Sequence, residues 1–221
     1  MGIRDAIVDG PASIGARARA QRWSLLESTF PDLPTYNVLD LGGTPGSWLR
    51  TGVRPASVTM LNLFGSELAI GAESEPLPDW LTVVAGDACE PPQIVRDGEY
   101  DLVFSNSLIE HLGGPDRRRA FAGFVRSAAP RYWVQTPYRY FPVEPHWVFP
   151  LFQFLPLKAK AYFSRVWPLM HTRSGSWDEA IETALGVELL SITEMRHLFP
   201  ESRIHHERLA GLTKSVTAIR A

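Results

Sequence analysis

The stretch VLDLGGTPGSW, Val38 to Trp48, constrains this chain more than any other. An apolar run that ends in a carboxylate and passes straight into glycines reads as a buried strand, a tight loop and the start of a helix. Gly42, Gly43 and Gly46 offer positive φ and close backbone approach, so a ligand can lie against bare main chain and the N–H groups of the next helix. Asp40, at the carboxyl end of the strand, is placed to accept hydrogen bonds from an amine or from hydroxyls; the plainer reading is that it only caps the turn. This is a nucleotide-type pocket. A nicotinamide or flavin site would read G-x-G-x-x-G, with an acidic residue about twenty positions on. Here the carboxylate precedes the glycines, the spacing is G-G-x-P-G, and the later position is Asn62, all of which goes against a dinucleotide. No Gly-Lys-Ser/Thr follows, which excludes a P-loop.

The rest of the chain supplies strands and short helices in alternation. The pattern predicts a helix from about Ala12 to Phe30, ended by Pro31 and Pro34, lying over the pocket or the sheet edge. Strands are expected at Tyr36–Leu41, Ser57–Leu63, Leu81–Ala85, Tyr100–Ser105 and Arg131–Thr136, with a helix opened by Pro115 between the last two. The segment Phe64–Trp80 reads as short or irregular. Arg117, Arg118 and Arg119 point in different directions on a helix and read as a solvated surface. Residues 138–177, crowded with aromatics and prolines, break the rhythm and read as an insertion. A capping box at Ser191 and Glu194 opens a helix, and two strands, about Ser202–Leu209 and Thr213–Arg220, close the chain as a hairpin. The fold class is α/β: a Rossmann-like, doubly wound, mostly parallel seven-stranded sheet with a terminal antiparallel hairpin and an aromatic-rich helical insertion after the fifth strand.

Length bounds this to one domain, residues 1–221, with 1–34 as an N-terminal helical segment. A net charge of −2 gives no bulk reason to expect nucleic acid. The start, MGIRDAIVDG, lacks a signal-peptide apolar region, and the single cysteine, Cys89, allows no internal disulfide, so a cytoplasmic protein is expected. Cys89 reads as a packed residue without chemistry. The apolar run Trp147–Leu157 is too short to span a membrane.

Taken in order, VLDLGGTPG, the GDA after the third strand, DLVFSNSLIEHL at the fourth and the closing hairpin resemble the class I S-adenosylmethionine (SAM)-dependent methyltransferases over nearly the whole chain. The resemblance implies that Asp40 and the backbone of Gly42, Gly43 and Gly46 hold the methionine end of SAM. It places Asn62 at the ribose, where the family usually has an acid, Asp87 and the Ala88 N–H at the adenine, and Ser105 in the methionine pocket. Asp87 also reads as an ordinary turn aspartate.

For an alcohol acceptor the chemistry needs alignment and a base. Glu110-His111 and Glu144-x-His146 both follow strands at the active end of an open sheet, so either histidine qualifies, with Glu144 beside His146. Quinone O-methyltransferases of this superfamily bind a magnesium-type ion with E-x-x-E-H. The matching run here is S-L-I-E-H, Ser107 to His111, which lacks the first glutamate. That resemblance implies an Mg2+ site at Glu110 and His111, completed by Glu144 or His146. Without an ion, Glu110 and His111 orient each other or the substrate. QTPYRYFPVEPHW and ERLAGLTKS resemble methyltransferases of polysaccharide biosynthesis, specifically those acting at the 1-hydroxyl in mycobacterial methylmannose polysaccharide synthesis. This implies a small saccharide acceptor and a homodimer, with Tyr138, Tyr140, Trp147 and Trp177 as candidate sugar platforms, although core or dimer contact is the commoner use of such aromatics. The other readings are a lipid, quinone or polyketide acceptor, and a SAM-binding protein without turnover.

Overall fold

The structure, a computed structural model, describes residues 13–63, 77–170 and 173–221. Five strands come first: β1 (Asn37–Leu41), β2 (Ser57–Asn62), β3 (Leu81–Ala85), β4 (Leu102–Asn106) and β5 (Arg131–Pro137). A two-strand ribbon, β6 (Val143–Glu144) and β7 (Phe149–Pro150), and the closing hairpin, β8 (Arg203–Leu209) and β9 (Leu212–Arg220), complete the set. The main sheet runs β3-β2-β1-β4-β5-β9-β8, parallel from β3 to β5 and antiparallel from β5 onward. This is the doubly wound seven-stranded sheet that the sequence predicts. The chain reverses direction across the sheet between β1 and β4, and such a switch point opens a crevice at the carboxyl ends of the strands.

Side-chain parity divides the core. On one face Leu39, Leu41, Val103, Tyr132 and Val134 pack with Phe121 and Val125 of the helix Gly114–Ala128. On the other, Val38, Met60, Leu102, Phe104 and Trp133 pack with Trp48 and with Leu26 and Phe30 at the end of the first helix, Ile14–Thr29. Burial on both faces is why these strands read as unbroken apolar runs.

The first helix begins two residues later than expected, because the Ser13 hydroxyl accepts from the Ala16 N–H at 3.0 Å and caps it. Ala12 and the residues before it lie outside the described residues, as does most of the Phe64–Trp80 segment. The helix lies over the pocket, as the sequence suggests. Trp23 stacks on Phe104 at 5.5 Å between ring centroids and meets Trp48 edge-on at 5.0 Å.

The insertion is helical, as the sequence predicts, but runs further. After the β6–β7 ribbon come helices Leu157–Val166 and Trp177–Leu185. The second continues past residue 177, and its start was readable: Ser176 accepts from the Glu179 N–H in an S-x-x-E pattern. The arginine run also departs from expectation. Only Arg119 stands on an open surface; Arg118 is buried and donates to Glu188, and Arg117 donates to Asp87. Among the described residues no helix is long and apolar enough to cross a membrane.

The predicted capping box is present, with Ser191 accepting from the Glu194 N–H and Glu194 accepting from the Ser191 N–H at 2.8 Å. Replacing Ser191 with alanine leaves both the Glu194 N–H and the reciprocal arrangement incomplete. We expect Ser191→Ala to cost about 1 kcal/mol in urea unfolding, with an unchanged m-value.

Candidate active site

A cleft of about 1080 Å³ opens at the switch point, bounded by Asp40, Gly42, Gly43 and Thr44 below and by Ala16, Arg19, Ala20 and Trp23 of the first helix above. Gly42 has φ +82°, a conformation that disfavours any side chain. Gly43 is required for a different reason: a Cβ there would fall inside the Asp40 carboxylate. Gly46 belongs to the short helix Pro45–Leu49 and not to the loop, so the expected positive φ does not apply to it. Asn62, at the end of β2, donates to the Gly43 carbonyl at 3.3 Å and ties the loop to the sheet.

Asp40 is the electrostatic centre of the cleft. Its side chain is 1% exposed, one oxygen accepts from the Trp48 indole N–H at 2.7 Å, and the other has no partner. Burial raises its pKa from 3.8 to about 7, with the Trp48 hydrogen bond opposing that rise. A cationic donor in the cleft would satisfy the unpartnered oxygen and favour the carboxylate.

Two expected cofactor contacts, Ser105 and Asp87, are placed differently. Ser105 does not line the cleft. Asp40 pairs in register with Phe104, so the side chains that share its face are Phe104 and Asn106. Ser105 turns to the other face, fully buried, and donates to the Leu41 carbonyl at 3.0 Å. Asp87 is committed within the fold: both oxygens accept from Arg117, and one also accepts from the Cys89 N–H at 2.8 Å. Although partial burial raises its pKa, these bonds outweigh it and the net shift is down. Ala88 is buried in the core beside it. Arg117 is also the basic neighbour of Cys89 that the sequence did not reveal, but burial dominates and the thiol rises to about 11, which leaves it inert.

A second cluster follows β4 and β5. A short turn, Ile109–His111, carries Glu110 and His111, and the β6–β7 ribbon carries Glu144 and His146. The two pairs converge. The imidazoles of His111 and His146 meet edge to face at 4.9 Å between centroids, and one donor atom each from Glu110, His111 and His146 lie within 4.8 Å of one another. Glu144 is 1% exposed; one of its oxygens bonds His146 Nδ1 at 2.6 Å, and the other accepts from the Trp147 N–H at 2.9 Å. That pairing puts the proton on Nδ1 and leaves Nε2 with its lone pair. His111 Nδ1 lies 3.2 Å from the Gly186 carbonyl, which fixes the same tautomer.

Glu110 is buried, with one oxygen accepting from Thr136 at 3.0 Å and the other unpartnered. Desolvation raises its pKa to about 7, against the attraction of His146. For His146, burial lowers the pKa, but the bond to Glu144 and the charges of Glu144 and Glu110 outweigh it and the net shift is up. For His111, burial and the facing His146 lower it.

Of the residues expected to hold an ion, Glu110, His111 and His146 come together, but the oxygen ligands that magnesium would need beyond Glu110 do not. Both Glu144 oxygens are taken, and Ser107, standing where the first glutamate of the motif would be, donates to Gln135. What remains is one carboxylate and two imidazole nitrogens. That set suits zinc or another imidazole-binding divalent ion and not Mg2+, which takes oxygen ligands. Trp147 is no sugar platform either: it is 2% exposed, stacked on Phe152 at 4.1 Å, and its indole N–H donates to Ser164. Tyr138 and Tyr140 remain accessible and meet edge-on at 5.6 Å.

Residues 39–132 match the family model of a methyltransferase domain. Similar solved structures include a candidate O-methyltransferase from Nostoc punctiforme PCC 73102, at 16% identity and TM-score 0.54 over 93% of this chain and 57% of that one. A SAM-dependent methyltransferase from Mesorhizobium loti aligns at 15% identity and TM-score 0.55 over 90% of this chain and 97% of that one. Magnesium protoporphyrin IX methyltransferase from Synechocystis PCC 6803, solved with bound S-adenosylhomocysteine (SAH), aligns at 15% identity and TM-score 0.51 over 94% and 85%. The chain spans just over half the length of the Nostoc protein. No curated protein matches it. The strand order is that of a Rossmann-like methyltransferase fold, within which residues 39–132 match the methyltransferase-domain model.

The raised pKa of Asp40 has a measurable consequence without any ligand. Between about pH 4 and about pH 7 the folded state holds a proton that the unfolded chain has released, so this group favours folding at low pH and its contribution is lost as pH rises through the folded pKa. Asp40→Asn removes that term. Urea midpoints measured across this window should fall with pH less steeply in Asp40→Asn than in the wild type.

Proposed function

We propose that the protein is a SAM-dependent O-methyltransferase acting on a sugar hydroxyl, with His146 as the base. The observation that carries the reading is the Glu144–His146 pair: a buried carboxylate holds Nδ1 at 2.6 Å and leaves Nε2 free at the carboxyl end of the sheet. In this reading the glycine loop and Asp40 hold the methionine end of SAM, with the unpartnered Asp40 oxygen accepting from its ammonium group. Asn62 serves the ribose. Asp87 reaches the adenine only by sharing an oxygen already bonded to Arg117, so its share of the affinity is small.

The acceptor oxygen attacks the methyl carbon of the sulfonium as the carbon–sulfur bond breaks, and its proton passes to His146 Nε2. The products are a methyl ether, SAH and a proton that His146 returns to solvent. Glu144 stabilises the imidazolium that forms. Tyr138 and Tyr140 offer ring faces to a pyranose. A homodimer belongs to this reading through the same resemblance to polysaccharide methyltransferases, as does the narrower choice of a methylmannoside 1-hydroxyl.

A second reading is favoured by the unpartnered Glu110 oxygen. Glu110, His111 and His146 would hold a divalent ion that polarises the acceptor hydroxyl. His146 would then be a ligand, and exhaustive chelation would abolish turnover. Retention of full activity after chelation leaves His146 as the base.

Four expected outcomes test the proposal. With mannosides and hydrophobic phenols offered as acceptors, SAH release should follow the mannosides; turnover on phenols alone moves the acceptor to a lipid, quinone or polyketide. Asp40→Ala should weaken SAM binding roughly tenfold or more in calorimetry. His146→Ala should lower kcat by about 10²–10⁴ with SAM affinity retained. Because Glu144 holds the His146 pKa up, activity should rise with pH through that pKa, and Glu144→Gln should move the rise to lower pH.

A further inference from the structure

From Pro145 to Trp177 the sequence has no acidic residue, yet it carries Lys158, Lys160, Arg165 and Arg173 among closely spaced aromatics. In a chain of net charge −2 this run is locally cationic. The helix Leu157–Val166 sorts it into two faces. Ala161 and Ser164 are buried, with Ser164 accepting from the Trp147 indole. Away from that face Lys158, Tyr162, Arg165 and Val166 recur at helical spacing and are exposed, and Leu157 is exposed at the amino end of the helix. Leu157, Tyr162 and Val166 are 40%, 56% and 46% exposed, and the preceding turn adds Leu151 and Phe154, each 53% exposed.

We propose that this face docks on the surface of an anionic lipid bilayer. Leu151, Phe154, Leu157, Tyr162 and Val166 enter the boundary between headgroups and acyl chains, and Lys158 and Arg165 meet the lipid phosphates. Apolar side chains interleaved with cations, without acids, are the composition that binds such a boundary and not a span. A second copy of the chain fits this face less well. A two-fold contact sets a patch against itself, so a face that carries Lys158 and Arg165 meets another cationic face with no acid in the run to pair them. An uncharged apolar partner would desolvate both cations without compensation. The acids Asp178, Glu179 and Glu182 belong to the next helix. Trp147, which anchors the docking helix from within, is the neighbour of His146, so the bilayer would lie on the side of the histidine cluster. The inference stands on this surface and not on the reaction proposed above.

Co-sedimentation of the full chain with vesicles of phosphatidylcholine alone, and of phosphatidylcholine mixed with phosphatidylglycerol, tests it. The protein should pellet with the mixed vesicles only, and added salt should weaken the binding. Lys158→Gln with Arg165→Gln should weaken binding roughly thirtyfold, and Phe154→Ser with Tyr162→Ser should also release the protein. Both double variants should keep the wild-type thermal midpoint and SAM affinity, because none of the four side chains lies in the core or the cleft. Failure to pellet with mixed vesicles, equal pelleting with both kinds, or retention by both variants overturns the proposal. So does light scattering that finds a wild-type dimer and a Phe154→Ser/Tyr162→Ser monomer, since the face then holds a second copy.

Discussion

A single hydrogen bond, from the Trp48 indole to the Asp40 carboxyl, holds together the part of this molecule on which the rest depends. It joins the end of β1 to the helix after the glycine loop. It therefore sets the loop's shape, and it leaves room for only a glycine at position 43. A carboxylate buried with one donor is an unfavourable arrangement for an unliganded fold, because desolvation is only partly offset. The arrangement makes sense if a ligand supplies the second donor. The core residues around it, Val38, Met60, Phe104 and Trp133, give the pocket a dry wall against which such a donor counts for more than it would in water.

The histidine cluster is built on the same logic with different parts. Each imidazole has its Nδ1 engaged by the fold, His146 by Glu144 and His111 by the Gly186 carbonyl, so both present Nε2. Glu110 adds a buried oxygen without a partner. A base and a metal ligand ask for the same free nitrogen, which is why the geometry supports two readings and why chelation separates them.

Most of the sheet was legible because parallel strands buried on both faces leave long apolar runs, and turns are marked by glycine and proline. The site was legible where the signal was local: Asp40 with its glycines, Glu110-His111, Glu144-His146 and the capping box at Ser191. It failed where parity or distance decided. Ser105 was placed by its nearness to the strand end, whereas the alternation of side chains turns it away and points Asn106 inward. Asp87 and Arg117 are 30 residues apart, and Arg118 and Glu188 are 70, so no local pattern announces either pair. Trp147 looked like a sugar platform because the hydroxyl that satisfies its indole lies 17 residues further on.

The helix over the cleft is anchored unequally along its length. Its carboxyl end is fixed by Leu26 and Phe30, both buried in the core. Further toward its start the grip is polar: Arg22 donates to Asn106 at 2.7 Å and to Gln135 at 3.1 Å, and pairs with Glu207 at 3.1 Å. Breaking the Arg22 contacts, midway along the helix, loses hydrogen bonds that water can replace, whereas lifting the end that carries Leu26 and Phe30 strips apolar surface that water cannot. The roof of the pocket is thus riveted at its carboxyl end and only latched at its middle.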